Sequence, residues 1–172
     1  MTRVNKTWMS VVVAALLLGG LVGVVWARPK ESPQSADIVR RVTIPAGFFH
    51  PAEDGLNWLN DGALAGQGAY TAPVVFPCLS PVTVKKITLS VEDHNASADA
   101  CVSLHRMRPK RLRQWEMAMA CSTGSVGGAI NYDDSSIEYA QVWPADGPYL
   151  WLGIGGPSIL VYGVTIEYQR II

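Results

Sequence analysis

Beyond Val42 the sequence consists of short segments, many with alternating apolar and polar residues, that are separated by turns rich in glycine and proline. In the clearest segment, Ile87, Leu89 and Val91 alternate with threonine, serine and glutamate. A two-residue period is typical of a β-strand with one buried face, and we find no 3.6-residue helical period in this region. Seven or eight such strands predict an all-β fold, an antiparallel β-sandwich of the jelly-roll type.

The alternation also predicts which residues form the core. Val82 and Val84 have the opposite parity to Ile87, so we expect a β-bulge at Lys85-Lys86 that returns both sets to the interior. In the last strand one face is expected to carry Leu160, Tyr162, Val164, Ile166 and Tyr168. The residues expected between the two sheets are Val84, Ile87, Leu89, Val91, Val102, Leu104, Val164 and Ile166.

The N-terminal 27 residues have the features of an export segment. Arg3 and Lys6 precede a charge-free apolar run, residues 8–27. About 20 apolar residues in a helix span a hydrocarbon core of roughly 30 Å, and Val25-Trp26-Ala27 also suits signal-peptide cleavage. Residues 1–27 are therefore predicted to be a signal peptide or a single transmembrane helix, which would hold the protein on the membrane if it stays uncleaved.

The remaining chain divides into a linker and one domain. Residues 28–37 are short, polar and proline-containing, as in a semi-rigid linker, and residues 38–172 are predicted to form the sandwich. The positively charged flank of an apolar run stays in the cytoplasm. We therefore expect an extracytoplasmic domain that is either secreted or anchored by its N-terminus.

The charge balance excludes several classes of protein. Lys+Arg and Asp+Glu number 14 each, only 16% of the residues are charged and 49% are hydrophobic. Such a chain is neither disordered nor a general binder of polyanions, and no nucleic-acid partner is expected. The sequence contains no nucleophile elbow, zinc-protease motif, P-loop or dinucleotide-binding motif, so it predicts neither an enzyme nor a cofactor.

The three cysteines are Cys78, Cys101 and Cys121. Segments 100–108 and 114–122 predict two strands joined by a polar turn, and folding them about their midpoint places Cys101 opposite Cys121. Opposed residues on an antiparallel pair are close enough for a disulfide. We therefore predict a Cys101–Cys121 disulfide and an unpaired Cys78. One face of the second strand is expected to carry Trp115, Met117, Met119 and Cys121.

The tip of this hairpin is strongly basic. Five cations lie within eight residues: Arg106, Arg108, Lys110, Arg111 and Arg113. This basic tip could contact lipid headgroups, an acidic envelope polymer or a protein partner. The alternative is a solvated turn whose charges keep the sheet edge soluble. Under both interpretations we expect the five side chains to be exposed.

A second candidate surface is the segment His50–Tyr70, which has no clear periodicity. It contains Trp58, with Asn57, Asn60 and Asp61 close by. An aromatic ring beside amide and carboxylate groups can stack on a sugar and hydrogen-bond to it. A loop aromatic of this kind can instead close one end of the core.

A calcium site is a further alternative in the loop that begins at Asp93. Asp93, Asn95 and Asp99 carry side-chain oxygens at alternate positions, as in the first half of a calcium loop. The pattern lacks the central glycine and the distal glutamate of such a loop. Asx turns within a strand connection explain the same residues more simply, so we predict no metal.

Several segments carry a family resemblance. They are Ile44-Pro45-Ala46, Phe49-His50-Pro51, Ala72-Pro73-Val74, Phe76-Pro77 and the segment 162–168. In these segments the chain resembles a group of small exported bacterial proteins with an N-terminal signal or anchor segment and a jelly-roll-like β-sandwich. The resemblance covers roughly Val42 to Tyr168 and consists of core and turn positions. It therefore implies a fold and a compartment but no site residues.

Two functions agree with these features. The first is a non-enzymatic exported or membrane-anchored β-sandwich that acts as a structural or interaction module, such as an accessory subunit of a membrane or envelope complex. The alternative is a carbohydrate-binding module that uses the loop aromatics around Trp58. Co-purification of a membrane partner would favour the first, and glycan binding that is lost in Trp58→Ala would favour the second.

Overall fold

Two antiparallel β-sheets make up the part of the protein that the computed structural model describes, residues 38–52, 62–109 and 113–171. A short 3-10 turn, Ala46–Phe48, follows the first strand. The strands are β1 (Arg40–Pro45), β2 (His50–Pro51), β3 (Leu64–Ala65), β4 (Gly68–Pro73), β5 (Val82–Asp93), β6 (Ala100–Arg108), β7 (Arg113–Cys121), β8 (Val126–Asp134), β9 (Gln141–Val142), β10 (Gly147–Ile154) and β11 (Ile159–Arg170).

The strand order confirms the predicted antiparallel β-sandwich. The six-stranded sheet has the order β1-β11-β5-β8, with β3 paired to β11 and β9 paired to β5. The five-stranded sheet has the order β2-β4-β10-β6-β7. After β5 the chain forms β6 and β7 in the other sheet, returns for β8, and crosses again at β10 and β11. Repeated crossing between two packed sheets is typical of a jelly roll.

The predicted export segment, residues 1–27, and the predicted linker, residues 28–37, lie outside the described residues. Across the ranges that the structure does describe, we find no helix with the length and apolar character needed to span a membrane.

The space between the sheets is filled by apolar side chains from both of them. All eight core residues expected from the alternation are buried, none more than 1% exposed. Leu150 and Leu152 of β10 and Tyr70 of β4 are buried against them. Burial of this apolar surface is the main force that holds two sheets together, because few polar groups connect their facing sides.

The predicted bulge in β5 is confirmed. Glu167 of β11 pairs with Lys86, whereas the next residue, Tyr168, pairs with Val84, so Lys85 is the extra residue. Val84 and Ile87 are both buried as a result. An added residue reverses the parity of a strand, which is why two apolar sets of opposite parity can face one core.

The prediction that one face of β11 is apolar along its whole length is wrong for the first half of the strand. The register with β5 shifts between Val161 and Gly163, leaving Tyr162 as the extra residue of a second bulge. Val161 is buried ahead of the bulge, whereas Leu160 and Tyr162 lie outside the buried core. The bulge requires glycine at position 163, because a β-carbon there would lie 2.7 Å from the carbonyl oxygen of Ile44.

The predicted face of β7 is also interrupted by a bulge. The register between β6 and β7 shifts after Leu104, and Met117 has no direct partner on β6. Met117 is buried, but Met119 is 52% exposed, so the two do not share a face. A bulge of this kind is not visible in the sequence, because Ala118 and Ala120 fit either side of the strand.

The hairpin of β6 and β7 carries the predicted disulfide. Cys101 and Cys121 are directly paired across the two strands, with 4.1 Å between their Cα atoms, and their sulfur atoms are bonded. Cys78 is not in a disulfide. The pairing follows from the strand register, as expected from the equal spacing of the two cysteines from the hairpin turn.

Candidate functional site

The outward side of the five-stranded sheet carries aromatic and polar side chains in cross-strand rows. Residues paired across antiparallel strands lie on the same side of a sheet. One row contains Thr71, Trp151, Ser103 and Met119, and the next contains Tyr149, His105 and Glu116, with Gln114 beyond them on β7. We call these eight residues the aromatic face. Their neighbours along each strand, such as Leu150 and Leu152, point into the core.

Trp151 is the exposed tryptophan of this face, with 41% of the residue accessible. Its indole leans along β10 over Gly153, where a β-carbon would come within 3.1 Å of two atoms of the six-membered ring. Glycine therefore leaves the space in which the indole packs against the sheet. The far edge of the ring lies close to the backbone at Gly153, while much of the residue stays accessible to solvent.

Tyr149 stands beside Trp151 and is held by a second ring. Its phenol stacks on the imidazole of His105, with centroids 5.1 Å apart and an angle of 14° between the planes. His105 is fixed in turn by Ser103 Oγ, 2.8 Å from Nε2, and by Gln114 Nε2, 3.2 Å from Nδ1. Because the Gln114 amide donates to Nδ1, Nε2 carries the proton and donates to Ser103.

The surroundings keep His105 neutral. Burial lowers the pKa of the imidazole, and the nearby Glu116 carboxylate opposes this shift only partly. A neutral ring with both nitrogens hydrogen-bonded has a fixed orientation, so the stacked Tyr149 also has one. The site therefore combines a flat indole, a preoriented pair of rings and hydrogen-bonding groups, which are the components of a site for a ligand with both apolar and hydroxyl surfaces.

The outward side of the six-stranded sheet is chemically different. Its charged side chains are paired with each other: Glu167 binds both Arg41 and Lys86, at 2.9 and 3.6 Å. Tyr162 donates a hydrogen bond to Glu92, which lowers the pKa of that carboxyl. Side chains that are paired with each other through such ion pairs and hydrogen bonds are typical of a solvated sheet surface.

The basic tip expected from the sequence is only partly exposed, and the prediction for Arg106 is wrong. The Arg106 side chain is only 8% exposed and lies against the contacting rings of Trp115 and Tyr139, whose centroids are 5.1 and 5.9 Å from the guanidinium carbon. It donates to the carbonyl oxygen of Gln141 and lies 3.9 Å from a carboxylate oxygen of Asp146. Arg106 lies on the same side of β6 as the core residues Val102 and Leu104. Its side chain therefore enters the end of the sandwich.

Arg108 is also engaged within the fold. Its Nε lies 3.0 Å from the carboxylate of Asp146, whose side chain is only 3% exposed, and its side chain is 34% exposed. Arg113 is exposed. The other two members of the tip, Lys110 and Arg111, lie outside the described residues.

Two sets of candidates remain, namely the residues around Trp58 and the loop that begins at Asp93. Trp58, Asn57, Asn60 and Asp61 all lie outside the described residues. The carboxylate of Asp93 is buried and accepts hydrogen bonds from the backbone amide of Asn95 and from Ser122. Asp99 accepts one from the amide of Gly124. In the ranges described, no three His, Cys, Asp or Glu side chains are grouped closely enough to hold a metal ion.

A groove of about 370 Å³ lies beside the segment that follows β4, and none of the eight residues of the aromatic face lines it. Its lining includes Phe76, Cys78 and Trp143, and Trp143 is 47% exposed. Cys78 Sγ lies 3.6 Å from the carbonyl oxygen of Ser80. The groove is apolar, and the nearest carboxylate in its lining, that of Asp146, is already paired with arginine.

Sequence reasoning missed the aromatic face, although one signal was available. Tyr149 and Trp151 alternate with Leu150 and Leu152 along β10. Since the leucines are expected in the core, the two aromatics had to point outward. What the alternation could not indicate is that β10 lies at the centre of its sheet, with polar side chains on both neighbouring strands.

The sequence matches no protein-family model and no curated protein. Among solved structures it is similar to the CBM36-1 domain of a multidomain xylanase from the hindgut metagenome of Trinervitermes trinervoides, with 11% identity, a TM-score of 0.47 and 77% of this chain and 99% of that chain covered. It is also similar to the xylan-binding module CBM15, with 13% identity, a TM-score of 0.45 and the same coverage. A third similarity is to a family two carbohydrate esterase from Cellvibrio japonicus, with 10% identity, a TM-score of 0.40, and 78% and 36% coverage. These are similarities of the β-sandwich fold.

Proposed function

We propose that this protein is a non-enzymatic carbohydrate-binding module that binds polysaccharide on its aromatic face. The observation that carries the proposal is the indole of Trp151, whose six-membered ring lies close to Gly153 and which is accessible to solvent. A sugar ring has an apolar side of C–H groups that can cover such an indole, while its hydroxyl groups extend sideways. The surrounding side chains of Thr71, Gln114 and Glu116 supply the donors and acceptors that those hydroxyls need.

This proposal takes the carbohydrate alternative of the sequence analysis and moves its location from Trp58 to Trp151. The interpretation as a membrane or envelope subunit depends on residues 8–27, which lie outside the described residues. The carbohydrate interpretation is supported by a described surface. Trp151 and Met119 lie in one cross-strand row beside Tyr149, so the exposed apolar surface of this face is contiguous, and a ligand that covers it removes that surface from water.

An extracytoplasmic location agrees with this function. The disulfide between Cys101 and Cys121 is typical of proteins that fold in an oxidising compartment. We propose that residues 38–172 form the exported binding domain, preceded by a signal or anchor segment, residues 1–27, and a linker, residues 28–37.

The test compares two tryptophan variants of the full-length chain. Binding to a panel of soluble polysaccharides is measured by affinity electrophoresis and titration calorimetry for the wild type, Trp151→Ala and Trp143→Ala. Because a stacked aromatic at the centre of a site is a dominant contact, we expect Trp151→Ala to lower the association constant by roughly tenfold or more. Trp143 is exposed to a similar degree but lines the separate groove, so Trp143→Ala should retain the wild-type constant within about twofold.

A wild-type protein that binds no polysaccharide of the panel would contradict the proposal. Binding that falls equally in Trp143→Ala and Trp151→Ala would also contradict it. Thermal unfolding of both variants separates a loss of binding from a loss of folded protein.

A further inference from the structure

The charge of the aromatic face restricts the ligand, provided that the proposed polysaccharide-binding function holds. Among the described residues that the strand register places on this face, Glu116 is the only carboxylate and there is no lysine or arginine. His105 is held neutral between Ser103 and Gln114. Among the described residues of this face, which include His50 beside Thr71, the carboxylate of Glu116 is exposed and no lysine or arginine balances it.

Two of the three described arginines of the hairpin are held within the fold, and the register pairs the third, the exposed Arg113, with Arg108 on the side of the sheet opposite to the aromatic face. Arg106 is buried against two aromatic rings, and Arg108 makes an ion pair with the nearly inaccessible carboxylate of Asp146. Both guanidinium groups are therefore engaged inside the fold, where they share the single carboxylate of Asp146. An acidic polymer on the aromatic face would place its carboxylate or sulfate groups beside Glu116 without the arginine or lysine that usually binds them.

A neutral sugar meets no such penalty. Its hydroxyl groups can donate to the Glu116 carboxylate, which accepts up to four hydrogen bonds, and can both donate to and accept from the Gln114 amide and the Thr71 hydroxyl. The stacking of C–H groups on Trp151 does not depend on charge. Every described group on this face that faces solvent can therefore be used by an uncharged polysaccharide.

We infer that the aromatic face selects neutral polysaccharides, whose sugar units carry no uronate, sulfate or phosphate, and that Glu116 is the residue that rejects acidic ones. This assigns the substrate class of the proposed site. It also separates the site from the basic tip, which the sequence had indicated as a possible contact for an acidic envelope polymer.

The test uses neutral and acidic probes on the same protein. The neutral probes are glucomannan, mixed-linkage β-glucan and unsubstituted xylan, and the acidic probes are polygalacturonate, alginate and hyaluronan. We expect the wild type to bind at least one neutral probe in a manner that requires Trp151, with an association constant that changes less than about twofold between roughly 50 and 500 mM NaCl. Binding of the acidic probes should be undetectable at neutral pH.

The variant Glu116→Lys isolates the role of the charge, with Glu116→Gln as its isosteric control. Glu116→Lys should bind polygalacturonate at low salt, with an affinity that rises by roughly fivefold or more over the wild type and falls as salt is added. Glu116→Gln should retain the neutral ligand within roughly threefold. Circular dichroism confirms that both variants fold, as expected for substitutions at an exposed strand position.

The outcomes separate this inference from the proposed function. Binding of an acidic probe by the wild type that disappears in Trp151→Ala and weakens with salt would overturn the choice of substrate class and leave the carbohydrate function intact. No gain of acidic binding in Glu116→Lys would overturn the role given to Glu116. Absence of binding to all six probes would overturn the proposed function, and this inference with it.

Discussion

The indole of Trp151 occupies the space that a side chain at position 153 would take. A β-carbon built on Gly153 lies 3.1 Å from two atoms of the indole, closer than ordinary van der Waals contact. The orientation of the proposed binding ring therefore depends on a residue that cannot itself contact the sugar through a side chain.

Substitution of Gly153 should reduce binding without unfolding the protein. Gly153→Ala pushes the exposed end of the indole away from the sheet, and Gly153→Val pushes it further. We expect the free energy of unfolding to change by less than about 1 kcal/mol for Gly153→Ala, because alanine favours a strand over glycine by a similar amount. Affinity for the polysaccharide should fall by about threefold for alanine and more for valine. The control is Gly127→Ala on β8, where a β-carbon meets no atom within 4 Å.

Removing the charge of Arg106 should strongly destabilise the protein. Its guanidinium is buried against Trp115 and Tyr139, and its partner Asp146 is almost inaccessible. Arg106→Met keeps much of the packing but removes one of the two positive charges beside the buried carboxylate of Asp146. We expect this loss to lower the free energy of unfolding by about 3 kcal/mol. Urea denaturation measures the change. Arg113→Met, at an exposed arginine of the same hairpin, should stay within about 0.5 kcal/mol, and equal losses in the two variants would show that Arg106 is not a buried anchor.

Loss of the disulfide should lower stability without changing the fold. Cys101 and Cys121 close a loop with a sequence separation of 20 residues, for which the chain-entropy model gives a contribution of about 3 kcal/mol. The double variant Cys101→Ser, Cys121→Ser should unfold at a correspondingly lower urea concentration under oxidising conditions. Cys78→Ser is the control, and reducing agent should destabilise it as much as the wild type. A wild-type protein that is insensitive to reducing agent would contradict this prediction.

Acidification should destabilise the protein through His105. Burial lowers the pKa of this imidazole in the folded state, whereas the unfolded chain has the ordinary value of about 6.5. Below that pH the unfolded state takes up the proton more readily. The contribution to the unfolding free energy is therefore complete above about pH 6.5 and is lost as the pH falls through the folded-state pKa.

The measurement is urea denaturation of the wild type and His105→Gln between about pH 8 and pH 5. The glutamine variant should lose less stability on acidification, because it has no proton to gain at this position. An imidazole titration followed by NMR should give a pKa for His105 below the ordinary value. Parallel pH profiles for the two proteins would contradict the prediction.

The features that could be predicted from the sequence are those governed by local spacing. The reversed parity around Lys85 predicts its bulge, because two apolar sets can reach one core only if the strand gains a residue. The equal distance of Cys101 and Cys121 from the hairpin turn predicts their pairing in the same way. Both predictions need only the geometry of one strand or one hairpin.

The errors arise from bulges that the residue pattern conceals and from contacts between segments that are distant in the sequence. The bulge at Tyr162 depends on the close approach of β1 at Gly163, and the bulge at Met117 is concealed by alanines that fit either face. Arg106 looked like part of an exposed turn because its partner Asp146 lies 40 positions further along the chain. The residue pattern around Arg106 and the pattern around Asp146 do not indicate that the two side chains meet.

The sequence by itself determined the fold class, the core residues of β5 and β6, and the disulfide, because alternation and hairpin spacing are properties of neighbouring residues. Only the tertiary structure decided which aromatics form a surface. Tyr149 and Trp151 become a candidate site because β10 lies between β4 and β6, which bring Thr71 and His105 beside them. Strand order in a sandwich depends on how long-range pairings bury the whole core, so it emerges only when the complete chain is folded.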